Sequence, residues 1–252
     1  EEKSEKRLLF YPFMRIDKYI CDTINITRSQ ARRRISCGRV FANGVRVRSS
    51  SLQVDENSCT VTMDGQPIKY TRYVYFMMNK PGGVLSASSD RHAKTALELL
   101  RDEDRRADLF IAGRLDKDTT GFLLITNDGD FAHALLSPRK HIYKTYEVLL
   151  KHGDFDGYRS AFEKGVELED GYVCKPAEFI PFGNNRCLLK ISEGKFHQIK
   201  RMFRALGNEV LKLRRTAMGD VILDENLKPG EYRPLKPSEY ELFLNKITKI
   251  DP

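Results

Sequence analysis

The chain has 252 residues, 40% of them apolar, and no Trp. That fits one large domain or two small ones and excludes disordered, collagen-like and low-complexity classes. The net charge is +8, and it is concentrated: residues 14–54 hold nine basic groups against two acidic ones, a net of +7.

In chain order, residues 1–13 read as an N-terminal extension, with Met14 as a candidate native start. Met14 to Thr23 places Ile16, Tyr19 and Ile20 at helical spacing. Thr27 is an N-cap, and Gln30 three residues on completes a capping box. The helix it opens runs to about Cys37, where Gly38 follows. Asn43-Gly44, between Arg39–Ala42 and Val45–Arg48, is a hairpin signal. Cys59–Met63 is a further strand, turned by Asp64-Gly65, and residues 66–72 read as a linker. These elements make a small helix–helix–hairpin domain over 14–68.

A second domain is expected over 69–248. Its strands are Val74–Met78, Leu109–Ala112, Gly121–Thr126, 143–150 and 187–191. Asn127-Asp128-Gly129-Asp130 reads as a turn, and helices fall near 155–164 and 196–206. There is no regular βαβ period, so the fold class is α+β with a mixed, mainly antiparallel sheet. The five cysteines show no Cys-x-x-Cys spacing, which argues against a disulfide framework and a zinc site. With no membrane-length apolar run and no signal-peptide core, a cytoplasmic, monomeric protein is expected.

All seven charges from 28 to 48 are Arg, among them Arg28, Arg32, Arg33, Arg34 and Arg39. Arg makes forked contacts with phosphate that Lys cannot. No acid lies between residues 23 and 54, whereas a merely solvated helix face is usually mixed in sign. Arg-Ile-Asp-Lys-Tyr-Ile, followed by Thr-Arg-Ser-Gln-Ala-Arg-Arg-Arg-Ile-Ser-Cys-Gly-Arg-Val-Phe-Ala-Asn-Gly, resembles the RNA-binding fold named after ribosomal protein S4. The resemblance covers about 14–60 and implies binding of structured RNA.

The most informative stretch is Ala112–Gly129, in which Asp116 and Asp118 lie between two strands. Three readings compete. The acids can cap backbone amides in a turn. Asp-x-Asp-x-Thr resembles the nucleophile motif of haloacid-dehalogenase phosphatases, but Gly113 and Arg114 interrupt the strand that motif needs. Third, Gly-Arg-Leu-Asp-x-x-Thr-x-Gly-x-Leu-Leu-x-Thr-Asn-Asp-Gly resembles the central motif of pseudouridine synthases of the RsuA group. Met-Asn-Lys-Pro-Gly-Gly at 78–83, Lys-Thr-Tyr at 144–146, the basic stretch 191–208 and Pro-Gly-Glu-Tyr-Arg-Pro-Leu at 229–235 resemble its other motifs in order. The basic helix also reads without the family: His197, Lys200, Arg201 and Arg204 share one face, and Ile199, Met202, Phe203 and Leu206 the other.

The resemblance implies an isomerase that converts uridine in RNA to pseudouridine with no cofactor and no metal. It assigns the reactive carboxylate to Asp116, its cationic partner to Lys200, where related enzymes more often have Arg, and a base-stacking ring to Tyr146. Asp116 can attack the anomeric carbon, add to uracil carbon 6, or take the sugar 2′ proton. Lys80, Arg114, Lys144 and Arg201 are candidate phosphate contacts, and His197 and Gln198 belong to the same RNA-binding set. His197-Gln-Ile-Lys-Arg resembles the small-subunit enzyme, so the expected partner is 16S ribosomal RNA within an assembling particle. The alternatives are a large-subunit synthase of the same group and a non-catalytic RNA-binding assembly factor. The presence of Asp116 argues against the last.

Overall fold

The computed structural model describes residues 13–248, so the extension read over 1–13 lies, apart from Phe13, outside the described residues. The chain divides into two compact units. One runs to Arg72 and takes in Arg101–Asp108; the other comprises Tyr73–Leu100 and the chain from Leu109.

The first unit contains β1 (Phe13–Arg15), α1 (Ile16–Ile24), α2 (Arg28–Ser36), β2 (Val40–Ala42), β3 (Val45–Arg46), β4 (Gln53–Asp55), β5 (Val61–Met63) and β6 (Gln66–Ile68). The first helix starts later than the apolar spacing suggests, because Met14 is extended and pairs with Val54. The capping box forms as expected: Gln30 N donates to Thr27 Oγ1 at 3.2 Å, and Thr27 N donates to Gln30 Oε1 at 2.8 Å. Asn43 and Gly44 both take positive φ, the geometry of a type I′ hairpin turn. The four-stranded sheet runs β3-β2-β5-β6. Residues 66–68 are therefore a strand, not linker; Pro67 is tolerated there because β6 is an edge. The segment 101–108 returns to this unit, where Asn25 Nδ2 donates to Asp102 O at 3.0 Å and Arg106 Nη1 to Thr71 O at 2.7 Å.

The second unit contains β7 (Tyr75–Lys80), β8 (Phe110–Ala112), β9 (Thr120–Thr126), α3 (Gly129–Leu136), β10 (Lys144–Leu150), α4 (Tyr158–Lys164), β11 (Glu178–Phe182), β12 (Arg186–Ile191), α5 (Gln198–Ala205), β13 (Val210–Met218), β14 (Val221–Ile222), β15 (Tyr232–Pro234) and α6 (Pro237–Thr248). The sheet order is β11-β12-β10-β13-β9-β7-β15, with β8 on β9 and β14 on β13. Every pairing is antiparallel except β13 with β9. Phe122–Ile125 of β9 is fully buried because both sheet faces are covered: Leu123 and Ile125 enter one apolar core, Phe122 and Leu124 the other.

Three expected boundaries move, each for a local reason. Asp128 caps a helix rather than making a simple turn, its Oδ1 accepting from Phe131 N at 3.0 Å. The helix read from 155 starts at Tyr158, after Gly157 at φ 73°. The helix read from 196 starts at Gln198, because His197 adopts a left-handed φ of 48°.

Candidate active site

The stretch Gly113–Thr119 joins β8 to β9 and lies entirely in the second unit. What holds this connection in place is a buried cation that sequence reasoning missed. Arg215 of β13, 1% exposed, donates through Nε to Phe122 O at 2.7 Å and through Nη2 to Gly113 O at 2.8 Å. The two strands approach so closely that a Cβ on Gly121 would lie 2.2 Å from Arg215 O, and Gly121 is at φ 100°. Nothing in the sequence separates Arg215 from the neighbouring Arg214; only the parallel pairing of β13 with β9 turns it inward.

A second buried cation supports the loop from beneath. Lys80 is fully buried, and its Nζ donates to Pro81 O, Lys117 O and Thr119 O at 3.0, 3.1 and 2.9 Å. Burial pushes its pKa down to about 8, against the opposing pull of Asp118 and Asp116. Lys80 therefore holds the loop, its ammonium engaged by three backbone carbonyls. Lys144 is buried on β10, and burial, then the charge of Arg215, lowers its pKa to about 8.

Above this support two basic side chains approach Asp116. The Asp116 carboxylate is 26% exposed, with Lys200 Nζ 3.6 Å from Oδ2 and His197 Nε2 3.7 Å from Oδ1. The expected Lys200–Asp116 pair is present, but beyond hydrogen-bonding reach. Lys200 instead donates to both oxygens of Asp118, at 2.6 and 2.8 Å. That contact holds the Asp118 carboxyl below the usual carboxylate range. Tyr146, 8% exposed, sits between Leu189 and Arg215 in the sheet. It lines a cavity of about 80 Å³ with Asp116, Thr119, Ile191, Lys200 and Leu213. Thr119 Oγ1 is buried there with no hydrogen-bond partner.

The helix face of α5 is only partly as expected. Ile199, Met202 and Phe203 are buried. Arg201, however, pairs with Asp170 at 2.6 Å. Gln198 is 3% exposed and latches the preceding loop, its Nε2 donating to Glu193 Oε1 at 2.6 Å and its Oε1 accepting from Lys195 N at 2.9 Å. The Gln198 side chain is nearly buried and borders the cavity that Asp116 and Tyr146 line. Arg114 is exposed at the cavity mouth.

In the first unit, Arg28 and Arg32 have an acidic partner after all. Asp17 of α1 is fully buried and takes Arg15 at 2.9 Å and Arg28 and Arg32 at 3.4 Å each. The helix pairing, invisible in the linear charge pattern, brings it under α2. Arg39 pairs with Asp64, and Arg34 Nη1 lies 3.4 Å from the Met63 sulfur. Arg33 stays exposed. Three guanidiniums around one carboxylate still leave a basic surface.

Residues 74–205 match the RNA pseudouridylate synthase family and residues 14–58 the S4 domain. The chain belongs to the RNA pseudouridylate synthase family. It is 46% identical to the uncharacterized RNA pseudouridine synthase YtzG of Bacillus subtilis (strain 168), over 91% of this chain and 98% of that protein. It is 43% identical to ribosomal small subunit pseudouridine synthase A of Vibrio cholerae, over 90% of this chain and 97% of that protein. A crystal structure of a pseudouridylate synthase superposes with a TM-score of 0.64 at 39% identity, covering 91% of this chain and 99% of the other. The synthase is thus an isomerase acting on RNA, with an S4 domain ahead of its catalytic sheet. Among the described residues no helix is long and apolar enough to cross a membrane.

Proposed function

We propose that this synthase isomerises one uridine of 16S ribosomal RNA to pseudouridine in the cytoplasm, on an assembling small-subunit particle, with Asp116 as its reactive group and no cofactor. The observation that carries the reading is the setting of Asp116: a carboxylate at a cavity mouth, flanked by two basic side chains that approach both oxygens without hydrogen-bonding either. The substrate class is supported by relatives named as small-subunit synthases, 40–43% identical over 90% or more of the chain.

In the reaction the bond from C1′ to N1 breaks, the uracil turns, and C5 bonds to C1′. The proton on C5 leaves and N1 gains one, so no oxidant or energy source is needed. Attack at C1′, addition at C6 and removal of the 2′ proton all require Asp116 to be charged. Lys200 and His197 stand 3.6 and 3.7 Å from its two oxygens and leave the lone pairs available. Tyr146 offers a ring for the extruded base. The orphan Thr119 hydroxyl suits a polar edge of the substrate, since a buried hydroxyl is normally paired.

The test is carbodiimide mapping of pseudouridine in 16S and 23S ribosomal RNA from cells with and without this protein. One 16S stop that disappears with the protein and returns with the wild-type gene supports the reading. A lost stop in 23S RNA alone would replace it with the large-subunit reading.

A further inference from the structure

The loop before α5 holds a feature that the chemistry above does not use. Phe196 is 75% exposed, more than any other large hydrophobic side chain among the described residues. Its ring stacks on the His197 imidazole, with centroids 3.9 Å apart and planes 16° from parallel. One face of Phe196 is therefore covered, and the other is open to solvent beside the residue that faces Asp116.

This ring is held in place. Glu193, buried at the start of the loop, accepts from Lys175 N at 2.9 Å, Tyr172 hydroxyl at 2.7 Å and Gln198 Nε2 at 2.6 Å. Lys195 lies over the Tyr172 ring, 4.9 Å from its centroid, and its backbone N–H is bonded to Gln198. His197 turns the chain at a left-handed φ. An exposed aromatic on so constrained a loop is a preorganised platform, which binds with less ordering loss than a mobile side chain.

Phe196 and His197 form one wall of a cavity of about 540 Å³, a size within the range of about 300–1,000 Å³ for clefts that hold small ligands. It shares Asp116, Arg114 and Gly194 with the smaller Tyr146 cavity, so the two are contiguous. Arg114 and Lys117 line it, both exposed and neither in an ion pair among the described residues. The acid on its far wall, Asp90, has Oδ1 engaged by His92 N and Ala93 N at 2.8 and 2.9 Å. An open ring with unpaired cations nearby matches a nucleotide: a base to stack and a phosphate to neutralise.

We propose that Phe196, backed by His197, is the stacking platform for a second nucleobase, that of a nucleotide next to the uridine being isomerised, whose phosphate meets Arg114 and Lys117. This rests on the reading of the Asp116 cavity as the uridine site and adds a subsite beside it. Pulling a uridine out of its stack leaves a neighbouring base exposed, and a fixed aromatic surface at the cavity mouth covers it.

The experiment compares Phe196→Ala and Phe196→Tyr with wild type in single-turnover assays on 16S ribosomal RNA from cells lacking the protein. Loss of one base stack corresponds to about a tenfold effect. Phe196→Ala is therefore expected to raise the half-saturating RNA concentration about tenfold and lower the saturating rate by much less. Phe196→Tyr is expected to restore wild-type affinity. The salt dependence of binding should be unchanged in Phe196→Ala, whereas Arg114→Ala should flatten its log–log slope by about 0.7–0.9. A Phe196→Ala enzyme that binds within twofold of wild type, or a Phe196→Tyr enzyme as weak as Phe196→Ala, overturns the subsite. Wild-type enzyme inactive on 16S RNA refutes the substrate reading alone; the variants are then compared on 23S RNA under the same criterion.

Discussion

Asp17 in the first unit and Asp116 in the second are both ringed by basic groups, and they differ in what those groups do. Asp17 is fully buried, hydrogen-bonded by Arg15 and, more weakly, by Arg28 and Arg32. Its carboxyl lies below the usual range, chiefly through the Arg15 hydrogen bonds. Asp116 is a quarter exposed, and its two basic neighbours stop at 3.6 and 3.7 Å. A carboxylate whose lone pairs are filled is an anchor. One whose basic neighbours stop short of hydrogen bonding, at the mouth of a cavity, keeps its oxygens free to react. The number of basic neighbours alone would have ranked Asp17 as the functional acid; distance and exposure reverse that order.

The largest effect that tests this contrast is at Asp116. Asp116→Asn is expected to lower the single-turnover rate by at least about a thousandfold, about 4 kcal/mol of barrier, with RNA affinity nearly unchanged. Gel-shift binding and turnover on the same RNA separate the two. A rate within tenfold of wild type would remove Asp116 from the chemistry.

Next is Lys200. Lys200→Met leaves Asp116 with His197 as its basic neighbour and Asp118 without its hydrogen bonds. Because Asp116 is partly solvated, the loss is less than for a dry ion pair: about a hundredfold in rate, about 2.7 kcal/mol. Lys200→Arg should retain most activity. A Lys200→Met enzyme with wild-type rate would show Lys200 to be a surface cation.

Asp17→Asn tests the other side of the comparison, by stability. Its partners are 39–56% exposed on their side chains, so solvent discounts the pair energy, and about 2 kcal/mol is expected. The sign with pH follows from the lowered carboxyl. Its stabilisation is complete above the ordinary carboxylate value of about 4 and is lost as pH falls through the depressed one. Urea denaturation across pH 2–7 should show an acid limb that is shallower in the variant. Equal stability at neutral pH would mean that the Arg residues are held without Asp17.

How much of this was legible in the linear chain depends on the range of the interaction. The capping box at Thr27 and the Asn43-Gly44 turn involve neighbours, and pattern alone finds them. The motif around Asp116 is equally local. Arg215 acts through a strand pairing about a hundred residues away in sequence, and its neighbour Arg214 carries the same side chain outward. Lys80 reads as a phosphate contact because a lysine is seldom buried; two of the three carbonyls that accept its protons come from a loop nearly forty residues on. The segment 101–108 returns to the first unit through contacts with Asn25 and Thr71 that no composition shift marks. Asp118 shares its motif with Asp116, and spacing alone did not show which of them takes the Lys200 hydrogen bonds.

That division of labour gives the smallest and sharpest expectation. Asp118 is 73% exposed, so water competes for its carboxylate and its pair with Lys200 is worth little as stability. Its consequence is positional: by accepting two bonds from Nζ it keeps Lys200 from closing the last ångström to Asp116. In Asp118→Asn the anionic acceptor is gone, and Lys200 is expected to move onto Asp116, filling one oxygen as Arg15 fills Asp17. The rate at neutral pH should fall about threefold, because a hydrogen-bonded oxygen is a poorer reactant, at about 0.6 kcal/mol. Single-turnover rates at neutral pH measure it. A rate equal to wild type would mean that Lys200 stands off Asp116 for some other reason, and that Asp118 is only a solvated acid on the rim.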